Sequence, residues 1–141
     1  MERKTFPGTL DSLAGIREVV KEEAQRAGLS KKAAYNLMLA LDEIATNIIV
    51  HGYEETGTEG VVDVLVDHSD SRLTVILEDD AAPFDPLQRE LPNEEFFARP
   101  LEERPIGGMG IHLTINAVDE FNYEFTNNRN RNIFIVKTSD A

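Results

Sequence analysis

Three stretches of this chain carry residues that could do chemistry. In the apolar run from Leu37 to Gly52, Glu43 and Asn47 stand four apart. On a helix that spacing projects the carboxylate and the amide from one face, one above the other. Polar groups on the inner side of an apolar helix are costly unless satisfied. They either hydrogen-bond within the protein or line a pocket where a ligand or metal ion meets them. The second stretch, Asp79-Asp80-Ala81-Ala82-Pro83-Phe84-Asp85-Pro86, begins at the tip of a predicted strand. Asp79 there can accept hydrogen bonds from an exocyclic amine or cap the turn. In the third, Gly107-Gly108-Met109-Gly110 precedes a predicted helix. Backbone N–H groups can converge there on an anion, helped by the helix dipole, or the glycines serve a tight loop. It is neither a P-loop, lacking the following Lys-Ser/Thr, nor a dinucleotide fingerprint, since no strand leads straight into it.

The elements that must position these residues are legible as changes of period. Arg3 to Phe6 reads as a short edge strand stopped by Pro7-Gly8. A first helix, capped by Thr9 or Asp11, buries Leu13, Ile16, Val19, Val20 and Ala24 and ends at Gly28. Ser30 caps a second helix that runs to about Val50 and is ended by Gly52. Its core stripe is Ala34, Leu37, Met38, Leu41, Ala45 and Ile48, with Asn36, Glu43 and Asn47 along a neighbouring stripe. Alternation then predicts strands over Val61 to His68 and Arg72 to Glu78, joined by Ser69-Asp70-Ser71. Residues 87–106 are charged, contain three prolines and hold one short predicted helix near Glu94 to Ala98; a connection of that length reads as a lid. A third helix follows Gly110 through Ala117. The chain closes with a hairpin of Glu120 to Thr126 and Asn132 to Lys137 around Asn127-Asn128-Arg129-Asn130.

Composition narrows the function. At 141 residues and 41% hydrophobic, the chain has the size of one domain with a proper core, expected over 1–141. A net charge of −12 argues against generic nucleic-acid binding, which needs a basic patch. With no cysteine, disulfides, thiolate metal sites and thiol nucleophiles are excluded. No signal peptide and no run of about 18 apolar residues is evident, so a cytoplasmic protein without membrane contact is expected. The histidines, His51, His68 and His112, make no metal-ligand spacing on one helix.

Taken together, the stretches resemble the boxes of the GHKL ATPase superfamily, and within it most closely the bacterial anti-sigma-factor serine kinases. Glu43-Ile44-Ala45-Thr46-Asn47 followed by His51-Gly52-Tyr53 is similar to the N-box, Asp79 to Pro86 to the first glycine box, and Gly108-Met109-Gly110-Ile111 to the second. The resemblance implies the Bergerat ATP-binding fold, an α+β two-layer sandwich. In it a mixed, mainly antiparallel sheet of about five strands is covered on one face by three main helices. It also implies ATP and Mg²⁺ as ligands. Asn47 would hold the metal, Glu43 would act as general base toward a serine or threonine hydroxyl, and Asp79 would hold the adenine amine beside Ala81 and Pro83. Gly108, Met109, Gly110 and Ile111 would bind the phosphates. From position and charge in the lid, Arg104 or Arg99 would reach the γ-phosphate. The implied partners are a sigma factor and a small antagonist protein that is the phosphorylation substrate, with a homodimer also implied. Ala81 and Pro83 depart from the first box, where glycine is usual, and strain at Ala81 is expected to weaken nucleotide binding. The alternative is a binding module of the same fold, catalytically weak or inactive, that sequesters a protein partner with or without nucleotide.

Overall fold

The structure is a computed structural model in which residues 2–69, 71–86 and 116–138 are described. Five strands form one sheet: β1 (Glu2–Pro7), β2 (Val61–Ser69), β3 (Arg72–Asp79), β4 (Glu120–Thr126) and β5 (Arg129–Lys137). Their order across the sheet is β1-β2-β3-β5-β4, and every pairing among the described residues is antiparallel, so the mixed sheet expected from the sequence is not needed. Two helices, α1 (Leu13–Arg26) and α2 (Lys31–Asn47), cover one face. The third predicted helix falls largely outside the described residues; Asn116 and Ala117, at its expected end, form a turn.

The period-2 pattern sends alternate side chains to opposite faces. Toward the helices go Val62 and Val64 of β2, Leu73, Val75 and Leu77 of β3, and Phe134 and Val136 of β5, all buried. They meet Ile16 and Val20 of α1 and Leu37, Ala40, Leu41, Ile44 and Ala45 of α2. Phe121 on β4 closes this layer edge-on against Phe134, with ring centroids 5.1 Å apart. Both helix ends follow their local chemistry. Ser30 accepts from the Ala33 N–H at 3.1 Å as the predicted N-cap. Gly28, at φ +75°, lets the N–H of Leu29 return to the Ala24 carbonyl and end α1. The predicted cap at Thr9 or Asp11 is replaced by a 3-10 turn, Leu10–Ser12, whose Ser12 hydroxyl donates to the Pro7 carbonyl.

The second helix does not stop at Gly52. After Asn47 it widens into a π-helix, Ile48–Glu54. Two N–H groups beyond it reach back five residues, Glu55 to the Val50 carbonyl and Thr58 to that of Tyr53. The window Lys31–Glu54 is long and apolar enough to cross a membrane by composition, yet its apolar side chains build this core.

The opposite face of the sheet holds an ionic network. Asp63 of β2 and Glu78 of β3, both nearly fully buried, each pair with Arg3 from β1 and Arg129 from β5, at 2.7–3.0 Å. Arg131 adds a bond to Glu78 at 2.9 Å. Burial alone would push the Asp63 carboxyl upward, but hydrogen bonds from Thr5, Arg3 and Arg129 outweigh it and hold its pKa below the usual aspartate value. A depressed aspartate contributes stability that is full above its unfolded pKa and is lost as pH falls through its folded one. The stability gap between the wild type and Asp63→Asn, followed by urea unfolding, is therefore expected to be full from about pH 5 upward and to close as the solution is acidified below the ordinary aspartate range.

Candidate functional site

Between the end of α2, the π-helix and the segment after β3 lies a largely apolar cavity of about 150 Å³. Ile44, Asn47, Ile48 and His51 form its helical wall, Asp79, Pro86 and the run from Ala81 to Phe84 its other wall, and Asn130 and Asn132 of β5 its floor. Of the residues singled out from the sequence, Asn47, Asp79, Ala81 and Pro83 are brought together here. Glu43 lies one turn before Asn47 on the same helical stripe, half-buried, and is not part of this lining. Arg99, Arg104, Gly108, Met109, Gly110 and Ile111, like the lid at 87–106, lie outside the described residues.

Asp79 is 2% exposed and its carboxylate is solvated by protein groups. Its Oδ1 accepts from the Ala81 N–H at 3.0 Å and from Asn130 Nδ2 at 2.9 Å, and no described residue bonds Oδ2. Burial pushes its pKa above the usual carboxylate value, and those two hydrogen bonds offset part of the rise. Asn130 is the hub of the floor. Its Nδ2 also lies 3.1 Å from the carbonyls of Ala81 and Ala82, while its Oδ1 accepts from the Phe84 N–H and the Tyr123 hydroxyl. One amide thus shapes residues 79–84.

Sequence reading missed Asn130 by placing it in the last turn. The turn is shorter: Asn127 and Asn128 both take positive φ, 54° and 62°, the two central positions of a type I′ hairpin. β5 accordingly starts at Arg129, and Asn130 and Asn132 fall on the core face in line with Phe134 and Val136. The Asn-Asn pair flanked by alternating residues was the available signal.

Tyr53 ties the helical wall to the strand end. Its hydroxyl donates to the Val61 carbonyl at 2.8 Å and accepts from the Asp80 N–H at 2.9 Å, and burial raises its pKa to about 12. The ring fits because its neighbours lack side chains: a Cβ at Gly8 or Gly60 would lie 2.5 Å from it. His51, given no role from sequence, borders the cavity and holds Glu55 through Nδ1 at 2.9 Å.

Ala81 corrects one expectation. It is not among the residues with positive φ, so the anticipated backbone strain is absent. Its methyl instead sits where a Cβ on Gly52 would approach to 2.9 Å, and Gly52, mid-helix without positive φ, is there for close approach rather than as a terminator.

Asn47 is 8% exposed, and its Nδ2 finds no hydrogen-bond partner, as does Oδ1 of Asn132. Among the described residues, then, two buried amides on one cavity carry a polar atom without a hydrogen-bond partner.

Known structures share this architecture. The histidine kinase domain of the blue-light activated kinase of Erythrobacter litoralis EL346 superposes with a TM-score of 0.53 at 17% identity, over 92% of this chain and 61% of that one. The chain thus spans less than two thirds of that domain. The catalytic domain of the histidine kinase ThkA, in a nucleotide-free form, gives 0.54 at 15% identity over 98% and 97%. The fold is therefore that of the histidine kinase catalytic domains. Residues 6–136 match the model of the histidine kinase-like ATPase domain, and the chain belongs to that family. Among its relatives are proteins named serine-protein kinase RsbW, from Bacillus thuringiensis strain Al Hakam and from Halalkalibacterium halodurans. Each is 26% identical over 117 residues, which is 82% of this chain and 71% and 70% of the relatives.

The contact at Gly52 gives a double-mutant test. Gly52→Ala is expected to destabilise the protein by about 1–2 kcal/mol despite the better helix propensity of alanine. Adding Ala81→Gly should recover most of that loss, read as a coupling energy by urea unfolding.

Proposed function

We propose that this chain is an ATP-dependent serine/threonine protein kinase acting as an anti-sigma factor in a partner switch. It would bind a sigma factor and phosphorylate a small antagonist protein. The observation that carries the reading is the shared cavity of Asp79 and Asn47, a buried carboxylate and a buried amide with polar atoms to spare, in a member of an ATPase family. The relatives named serine-protein kinase support the same class of activity.

In this reading Oδ2 of Asp79 accepts the amine of adenine, and Ala81 and Pro83 lie against the base. The backbone of Gly108 to Ile111 binds the phosphates, and Arg104, from a lid over 87–106, neutralises charge on the γ-phosphate. Asn47 fits Mg²⁺ through its amide oxygen, a hard donor of the kind the ion takes, and its Nδ2, which has no partner among the described residues, is left to donate to a phosphate oxygen. Bound there, the ion would screen the phosphate charge. Glu43 takes the proton of the antagonist's hydroxyl, whose oxygen attacks the γ-phosphorus as the bond to the β-phosphate oxygen breaks and ADP leaves. The chain works as one domain over 1–141 in the cytoplasm, without contacting nucleic acid or membrane, and pairs with a second copy through the free edge of β1. The Ala81 methyl in the lining favours a second reading, a weakly catalytic binding module that sequesters its partner.

Titration calorimetry with Mg²⁺·ATP decides between them. The wild type should bind, Asn47→Ala should bind at least about tenfold more weakly, and Glu43→Ala should bind normally but transfer no phosphate to a serine-containing antagonist. Absence of both binding heat and thermal shift with the wild type would sink the kinase reading.

A raised Asp79 pKa adds two expectations. Its folded-state stability contribution is greatest below the ordinary aspartate range and is lost as pH rises through the raised value, so Asp79→Asn should be neutral or stabilising at pH 7. The same variant should abolish ATP binding. Wild-type affinity should begin to fall on acidification at a higher pH than an ordinary aspartate would dictate, measured by calorimetry across the range from about pH 7 to pH 4.

A further inference from the structure

Most large apolar side chains of α2 go into the core, but two do not. Leu37, Leu41 and Ile44 are buried, whereas Tyr35 is 64% and Leu39 41% exposed. Among the described residues five large apolar side chains stay exposed, and these two stand four apart on one helix. That spacing puts them on one face, a turn apart. Exposed apolar residues scattered singly are ordinary; two adjoining on one stripe form a patch.

The ends of the stripe give the patch a direction. Glu43 comes next, four residues after Leu39, and Asn47 follows it toward the cavity. At the other end, three residues before Tyr35, stands exposed Lys32, with exposed Lys31 beside it. The helix itself does not call for lysines there. Its N-terminus carries partial positive charge, which favours acids, and α2 has no acid in its first turn. On the flank of the stripe, Asp42 is engaged by Arg17 at 2.7 Å. The face thus runs from two cations through an aromatic ring and a leucine to the carboxylate read above as general base. In a chain of net charge −12, such a face complements an acidic and apolar segment.

We infer that this stripe docks the segment of the protein substrate that carries the acceptor hydroxyl. The occupant is an amphipathic helix lying along α2, its apolar side chains on Leu39 and Tyr35 and its acidic end at Lys31 and Lys32. Along the axis Leu39, Tyr35 and Lys32 lie about 6, 12 and 16 Å from Glu43. A helical substrate with its hydroxyl at Glu43 therefore carries apolar residues about four and eight positions away and an acid about eleven away. This rests on the kinase reading above and names the substrate surface that goes with it.

The probe is a synthetic helical peptide with one serine, leucines about four and eight residues from it and glutamates about eleven and twelve away, made in both chain directions. Transfer of labelled phosphate from Mg²⁺·ATP gives kcat/KM, and calorimetry gives ATP affinity. The wild type should phosphorylate the peptide in one direction, and at least about tenfold less efficiently when glutamine replaces both leucines. Tyr35→Ser with Leu39→Ser should lose about the same factor on the leucine peptide through KM, lose nothing on the glutamine peptide, and bind ATP normally. Lys32→Glu should weaken the glutamate peptide several-fold and favour one with lysines in those places, a reversal that misfolding cannot produce. Equal kcat/KM on leucine and glutamine peptides, an unaffected double variant, or no transfer in either direction by a wild type that binds ATP overturns the docking surface and leaves the nucleotide site standing. Absence of ATP binding by the wild type overturns the kinase reading and the docking surface with it. Both side chains being exposed, the double variant should fold. If thermal unfolding finds otherwise, the charge reversal at Lys32 decides: its presence supports the inference and its absence overturns it.

Discussion

A carboxylate at the buried end of β3 has to be solvated by the protein, and the shape of the cavity follows from how that is done. Asp79 has two N–H donors on one oxygen, a backbone amide two residues on and the side chain of Asn130 on the neighbouring strand. The first curls the chain back at Ala81; the second holds that curl against β5 by also gripping the carbonyls of Ala81 and Ala82. Asn130 faces Asp79 because the β4–β5 turn has two residues and not four. A longer turn would slide the pairing, and a slip of one residue would send both asparagines to the far face. A hairpin at the end of the sequence thus determines the geometry of a loop some fifty positions earlier.

The two faces of the sheet treat aspartate in opposite ways. Asp63 and Asp79 sit on adjacent strands, both nearly devoid of solvent contact, yet their pKa values move apart. Burial opposes ionisation at both. On the outer face guanidinium groups and a threonine hydroxyl more than compensate at Asp63. On the inner face Asp79 has neutral amides for neighbours, and Arg129 acts on it without touching it. The carboxylate beside the cavity is left short of compensation, so a donor from a ligand has more to offer it than to any carboxylate in the ionic network.

Much of this was legible in the sequence because apolar period reports burial directly. The core faces of α1, α2, β2 and β3 fell where Ile16, Leu37, Val62 and Val75 put them, and the boxes around Glu43 to Asn47 and Asp79 to Pro86 pointed to the family that the chain proves to join. What stayed hidden depends on polar residues doing the work of apolar ones. Asn130 looks like turn material, and Asn132 like the mere start of a strand, until the hairpin length is known. Ala81 looked strained because glycine at that place suggested positive φ, whereas a small side chain was wanted for the approach of Gly52. The π-helix has no signature in hydrophobic period, since its extra residue is absorbed without breaking the apolar run.

That extra residue acts as a phase shift in a rotating pointer. An α-helix advances about 100° per residue, so positions four apart keep nearly the same heading. With hydrogen bonds reaching back five residues, each turn takes up more chain, and headings beyond Asn47 lag behind those an unbroken α-helix would give. His51 can therefore face the cavity while Tyr53, two positions later, drives its ring between Gly8 and Gly60 toward the sheet. Loss of a single residue between Ile48 and Glu54 would restore α-helical winding and re-aim everything after it. Length in this segment is as strictly specified as the identity of its residues.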